Sequence, residues 1–355
     1  MTTLKERLLN MRWSDIYLEL LPVFEEKTTR MNPSEIRKNY QENPLVGAID
    51  ARKLHEIDNI LIQELPENVQ LLDISPVVPI GLSSVLTRVS QKTILSTIRN
   101  LELLADPTVV LALESVKKQI GNPERDIHFA TSSRMVRLQK FAPGSNMLQH
   151  FRGFAISSAG KSDRHSQFVF SSIVAQISFW LRSLQKLSSL KHCDVRNISV
   201  YISDIRIMEG LIEDNLVPRE NIVKWIRTKE KSPFTEFAID LPIFMDIGGF
   251  DNLKCSATAL SLKGLRHLKA FDPKLKNLSL LFPEISFRYH LERSSGLGYH
   301  AGLCFKISAE NRHGKRFSLV DGGIQDWTQK IAQNKKLIFC SSGFGTELFC
   351  TLFGK

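Results

Sequence analysis

Three groups of residues in this 355-residue chain have the types and spacing to do chemistry. The first is a pair of arginines, Arg152 in Phe151-Arg-Gly-Phe154 and Arg164 in Arg164-His-Ser-Gln167-Phe168. Between them lies a polar, basic run, Ser157 to His165. A guanidinium is a planar fork that never loses its charge, so it can bind two carboxylate or phosphate oxygens at once. The second group is a set of paired glycines: Gly296-Leu-Gly298, Gly322-Gly323 and Gly343-Phe-Gly345. Paired glycines let a ligand approach the backbone closely, and a helix starting after them favours an anion. The third is Tyr299-His300, where a phenol and an imidazole offer hydrogen bonds to a ligand or to the protein itself.

Other chemistries lack their residues. His128, His192 and His267 show no HxH or HExxH spacing, so no metal site is expected. The five cysteines form no CxxC pair and are odd in number, which reads as reduced thiols in a cytoplasmic protein. No serine lies in a glycine-x-serine-x-glycine elbow. The N-terminus has charges where a signal peptide needs an apolar core. Gln167 to Leu181 is uncharged but shorter than the roughly 20 residues a membrane span needs, so it reads as a buried helix. A hydrophobic fraction of 43% with 24% charged residues is that of a globular chain. The net charge of +10 suits an RNA partner, through counterion release, as well as a solvated basic surface.

The elements that must position these groups follow from periodicity. Residues 4–26 carry apolar positions at helical spacing, and Asp50 to Leu65 forms a helix with Leu54, Ile57, Ile60 and Leu61 on one face. An extended run, Val69 to Ser75, ends at Pro76. Thr93 to Arg99 reads as a strand, and Pro107 opens a helix over Thr108–Ile120. Ser157 to His165 reads as an exposed, mobile loop. Phe170, Phe179 and Trp180 mark a core helix over 169–181. Strands are expected at Ile198–Ile202, Ser286–Tyr289, Leu303–Ser308, Phe317–Val320 and Lys336–Cys340, with a helical region around 204–229. The pattern implies an α+β fold with a largely antiparallel sheet.

Four segments, in order, resemble the histidyl-tRNA synthetase branch of the class II aminoacyl-tRNA synthetases, together with its relative, the regulatory subunit of ATP phosphoribosyltransferase. Helix–strand–proline over 50–76 is similar to the dimer-forming motif 1. Thr97 to Thr108 resembles the segment whose acidic residue holds the substrate ammonium; Glu102 or Asp106 matches it, with Arg99 beside it. Phe151-Arg-Gly-Phe154, the basic loop, then Arg164 and Gln167 resemble motif 2, although Phe154 replaces its glutamate. A register that starts motif 2 near Arg137 stays open. Gly296 to Phe305, with Tyr299 and His300, resembles the histidine-site strand. Val320-Asp321-Gly322-Gly323-Ile324 resembles the branch's turn of a small residue, two glycines and arginine. Ser342-Gly343-Phe-Gly345-Thr-Glu-Leu348 resembles motif 3.

The resemblance implies a mixed, largely antiparallel class II sheet flanked by helices, with a helical insertion. It divides the chain into an N-terminal helical segment (1–48), a core (49–202 and 234–355) and the insertion (203–233). Arg152 and the Gly322–Gly323 turn are expected to enclose one pocket. Yet three arginines of the pattern fall on Ser295, Ile324 and Leu348. Removing one preorganised donor to a developing charge typically costs about 3 kcal/mol of transition-state stabilisation. The implied function is therefore a homodimeric regulatory or accessory subunit that binds an amino acid or nucleotide and acts through a protein partner. The alternatives are an adenylate-forming ligase using ATP and Mg, with phosphate contacts from Arg134, Arg137, Arg288 or Arg293, and a tRNA-binding paralogue. With Lys355 following motif 3, no C-terminal anticodon-binding domain is expected.

Overall fold

A computed structural model of the chain describes residues 3–42, 46–47, 49–87, 89–97, 99–121, 125–138, 148–162, 166–228, 232–253 and 259–354. Three helices come first: α1 (Leu4–Leu9), α2 (Trp13–Thr29) and α3 (Pro33–Glu42). Neither α1 nor α2 buries a residue. Then follow α4 (Ala51–Gln63), β1 (Gln70–Leu71), β2 (Val77–Pro79), α5 (Leu82–Thr87), β3 (Leu101–Leu103) and α6 (Pro107–Gly121). The long strands β4 (Ile127–Val136) and β5 (His150–Lys161) lead into α7 (Gln167–Ser188). After β6 (Arg196–Asp204) come α8 (Arg206–Glu213), α9 (Arg219–Thr228), α10 (Pro233–Glu236), β7 (Phe244–Asp246), α11 (Ala259–Leu281) and β8 (Ser286–His290). The chain closes with β9 (Leu303–Glu310), β10 (Arg316–Gln325), α12 (Trp327–Ala332), β11 (Leu337–Phe344) and α13 (Thr346–Phe353).

One nine-stranded sheet has the order β1-β4-β5-β11-β10-β9-β6-β8-β7. Its β1–β4 and β6–β8 pairs are parallel and all others antiparallel. The expected fold class, a mixed and largely antiparallel sheet flanked by helices, is the one observed. Helix α4 starts at Asp50, whose carboxylate caps the Arg52 amide, and buries Leu54, Ile57, Asp58 and Leu61 along one stripe. On the same face of the sheet lies α7, which fully buries Phe179 and Trp180 against Phe154 and Phe344. Its polar groups are satisfied there. The Trp180 indole donates to Ser342 Oγ at 2.8 Å, which donates in turn to Gln176 Oε1 at 2.7 Å. The opposite face of β4, β5 and β11 is covered by Val109, Leu111 and Ala112 of α6 and Trp327 of α12. Ile207, Met208, Leu211, Val217, Ile222 and Phe234, from the 203–233 region and α10, enter the same core as the sheet.

Three local expectations are corrected. Thr93–Arg99 is not a strand: Thr93 ends a short helical turn, Ser96 bridges back to Glu102, and Asn100 turns the chain at φ 59°. The strand begins at Leu101, after that turn. Ser157 to Lys161 is not an exposed loop but the inner half of β5, paired from Ser157↔Ser341 to Lys161↔Leu337. Small serines and glycine fit there because a Cβ on Gly160 would lie 2.4 Å from the Phe168 ring. Gly322 and Gly323 do not form a turn. They sit inside β10, opposite Ser342 and Ser341, where a Cβ on Gly322 would fall 2.4 Å from Ser342 Cβ. Their role is close strand packing.

Candidate ligand cleft

The face of the sheet that carries α6 and α12 is open beyond them, and a cleft of ≈ 540 Å³ lies there. That size suits a small ligand. Side chains alternate across a strand, so residues two apart share a face. Met135 and Arg137 at the end of β4, Phe151, Gly153 and Ala155 of β5, Gly343 of β11 and Asp321 of β10 all line the cleft. Arg134 and Arg152, one step out of phase, leave on the other face.

The segment between β8 and β9 forms the third wall. Gly296 takes φ +97°, and its carbonyl accepts from the amides of both Tyr299 and His300 at 2.9 Å. A side chain there would be strained and would place a Cβ 2.5 Å from the His300 ring. This turn delivers Tyr299 to the start of α6. Its hydroxyl donates to Asp106 Oδ2 at 2.9 Å and lies 3.1 Å from Thr108 Oγ1. Thr108 donates its own hydroxyl to Asp106 Oδ1 at 2.6 Å. Arg137 adds a looser ion pair to Asp106 at 3.6 Å and donates from Nε to the Ala105 carbonyl at 2.7 Å. Burial, and then the neighbouring Asp106, hold the Tyr299 phenol well above its ordinary range, so it stays a donor.

At the other end of the cleft, Asp321 receives His300 Nε2 at 3.0 Å and Arg293 Nη2 at 2.6 Å. Burial alone would raise this carboxyl, but Arg293, then His300 and Lys306, hold it far below the usual carboxylate range. Burial pulls His300 below its ordinary value despite Asp321. A neutral His300 must carry its proton on Nε2 to serve Asp321.

The residues singled out from sequence divide cleanly. Gly296, Tyr299, His300, Asp321, Gly343 and Gly345 line the cleft. Arg152 does not: it pairs with buried Asp58 of α4 at 2.6 Å, with Ser132 beside it, on the opposite face. It and Gly322–Gly323 lie in one sheet but do not enclose one pocket. Glu102 is fully buried and accepts from the amides of Gly81 and Ser83 and from Gln91, which makes it a structural cap for α5. Asp106, the other candidate, holds the cleft position. Arg99 is exposed, its guanidinium 4.7 Å over the Tyr17 ring of α2. Gln167 opens α7 at the surface, away from the cleft, and Arg164 lies outside the described residues.

Arg137, the alternative start of motif 2, is the arginine that the long β4–β5 hairpin brings to the cleft. Arg134 instead joins Glu347 at 3.1 Å on the far side, and Arg288 pairs with Asp246 on the surface. Sequence reasoning missed Thr108, Phe151 and Lys306. The signal for Lys306 was present, since it is the one cation in the apolar run Leu303-Cys-Phe-Lys-Ile307.

Among the described lining residues Arg137 is the only arginine or lysine. The positions Ser295, Ile324 and Leu348 add no charge. No group of three metal-ligating side chains occurs among the described residues. The set does match a zwitterion: Asp106 for an ammonium, Arg137 for a carboxylate, and an aromatic wall between.

No protein family profile and no curated protein matches the chain. Solved structures do match. A protein from Bacillus halodurans C described as an ATP phosphoribosyltransferase regulatory subunit/histidyl-tRNA synthetase aligns with TM-score 0.65 at 14% identity, over 88% of this chain and 83% of its own. A histidine–tRNA ligase subunit from Alicyclobacillus acidocaldarius aligns with TM-score 0.59 at 13% identity, over 86% and 94%. Histidyl-tRNA synthetase from Nostoc sp. PCC 7120 gives 0.58 at 13%, over 85% and 70%. The chain therefore has a class II aminoacyl-tRNA-synthetase-like fold, in the form shared by the histidyl-tRNA synthetases and the ATP phosphoribosyltransferase regulatory subunit.

Proposed function

We propose that the chain binds a free amino acid in this cleft without activating it, and acts as a regulatory or accessory subunit on a protein partner. The observation that carries the reading is the imbalance of the cleft. Asp106, Tyr299, Thr108 and Arg137 form a built seat for an ammonium and a carboxylate. Three arginines of the resembling synthetases, among them the motif 3 arginine that clamps the outer ATP phosphates, are replaced by Ser295, Ile324 and Leu348. The likeness to a solved protein described in part as a regulatory subunit supports the same reading. It includes a homodimer through the α4 region and a cytoplasmic setting. Its domain division is a helical segment (1–48), a core (49–202 and 234–355) and a helical insertion (203–233).

ATP–pyrophosphate exchange across the twenty amino acids tests it, alongside calorimetric titration with each amino acid and with ATP alone. Binding of one amino acid without exchange is expected. Robust exchange with any of them would overturn the proposal in favour of an ATP- and Mg-dependent adenylate-forming ligase. Binding of ATP with no amino acid would make the ligand a nucleotide. The net charge of +10 favours a second reading, tRNA binding. A steep loss of tRNA affinity with added salt would support it.

A further inference from the structure

Three basic side chains converge on one carboxylate at the Asp321 end of the cleft. Arg293 is 2% exposed and donates to Asp321 Oδ1 at 2.6 Å; His300 Nε2 approaches the same oxygen at 3.0 Å. Lys306 stands 3.7 Å from Oδ2 and donates to Ser295 Oγ at 2.8 Å. The ladder explains the convergence, because Asp321 is paired with Lys306 on one side and Gly343 on the other. With Arg293 and Lys306 charged and His300 neutral, two positive charges meet one negative. Arg293 Nη1 has no hydrogen-bond partner among the described residues. Arg293 is buried and Lys306 partly so, which leaves their charge less screened than in water and draws an anion to them. Asp321 nonetheless keeps 44% of its side chain open, facing the cleft.

We propose that Asp321 occupies an anion seat built by Arg293, His300 and Lys306, and so decides which ligand end this part of the cleft accepts. With Asp321 present, its carboxylate fills the seat and turns acceptor oxygens to the cleft, so this end takes an N–H-donating group. With Asp321 shortened, the same three basic groups take a small carboxylate from solution. The assignment rests on reading the cleft as a ligand site. It concerns the Asp321 end alone, whereas Asp106 and Arg137 hold the other.

The test is chemical rescue of Asp321→Ala with sodium acetate, read as melting temperature against sodium chloride at equal ionic strength. Acetate is expected to stabilise the variant above chloride and to leave the native protein unmoved. At ten times its dissociation constant the shift is about 2 °C for a chain of this size. Equal responses to acetate and chloride, or an equal acetate shift in the native protein, would overturn the proposal. Should the alanine variant fail to fold, Asp321→Ser keeps an oxygen for His300 and vacates room for formate; the same two outcomes decide. No amino acid is used, so a failure here leaves the amino-acid reading standing, and a failure of amino-acid binding leaves this result intact.

Discussion

The Tyr299 hydroxyl donates to Asp106 across 2.9 Å and 193 residues of sequence, tying the turn before β9 to the first turn of α6. Both groups are fixed before any ligand arrives. A carboxylate held in this way by a phenol, a threonine hydroxyl and a nearby arginine has a defined orientation, and preorganisation of that kind lowers the ordering cost of binding.

Tyr299→Phe should separate positioning from packing. The ring keeps its edge contact with Trp327, at 5.0 Å, while the hydroxyl is lost. A stability loss of about 1.5–3 kcal/mol is expected from one neutral-to-charged hydrogen bond, measured by denaturant unfolding. Amino-acid affinity should fall more than stability does, because Asp106 loses its orientation.

The glycines of β10 and β11 should respond in opposite ways. A Cβ on Gly343 would meet nothing nearer than the Phe154 carbonyl at 3.8 Å, so Gly343→Ala adds a methyl to the cleft wall without a clash. Folding should persist while ligand binding weakens, as seen by thermal melts and titration. Gly322→Ala drives a methyl into Ser342 and the Phe305 ring and should destabilise by about 1–3 kcal/mol.

Two arginines should trade roles under alanine substitution. Arg152→Ala leaves Asp58, 3% exposed, without its ion-pair partner and should cost about 3 kcal/mol of stability, with the cleft untouched. Arg137→Ala removes the cleft's arginine from a side chain that is 41% exposed. Its stability should change by less than about 1 kcal/mol, while carboxylate-dependent binding is lost. Denaturant melts and ligand titrations on the two proteins, side by side, check the contrast.

Acid should destabilise the fold through His290. Burial, then Arg293 and Lys306, push this imidazole down to about 4. Its unfolded value is near 6.5, so between about pH 6.5 and 4 the unfolded chain binds one more proton than the folded one. Stability therefore falls as pH drops through that window, by roughly 1 kcal/mol per unit. His290→Phe keeps the stacking on Phe244, at 4.7 Å, and should flatten this part of the unfolding-versus-pH curve.

Much of the fold was legible because it rests on local pattern. The apolar stripe of α4, the continuous apolar run of α7 and the short apolar strands around the glycine pairs each declare their element without reference to the rest. The site was legible in part, for the same reason: Gly296, Tyr299 and His300 belong to one short turn, Asp321 and Gly343 to neighbouring strands, and Gly345 caps the helix that follows. Errors came where meaning depends on a distant partner. Glu102 and Asp106 are four residues apart, and only the position of α5 makes one a cap and the other a cleft carboxylate.

What the sequence by itself determined is the order of elements and the kinds of side chain available to the cleft. What only the tertiary structure decided is the direction in which each charge points. Arg152 follows Phe151 by one residue, yet Phe151 lines the cleft and Arg152 reaches α4, because successive side chains of a strand leave on opposite faces. A motif read one position out of phase selects the wrong side of the sheet, and the hairpin register that corrects it, Arg134↔Arg152 and Met135↔Phe151, exists only once the strands have paired.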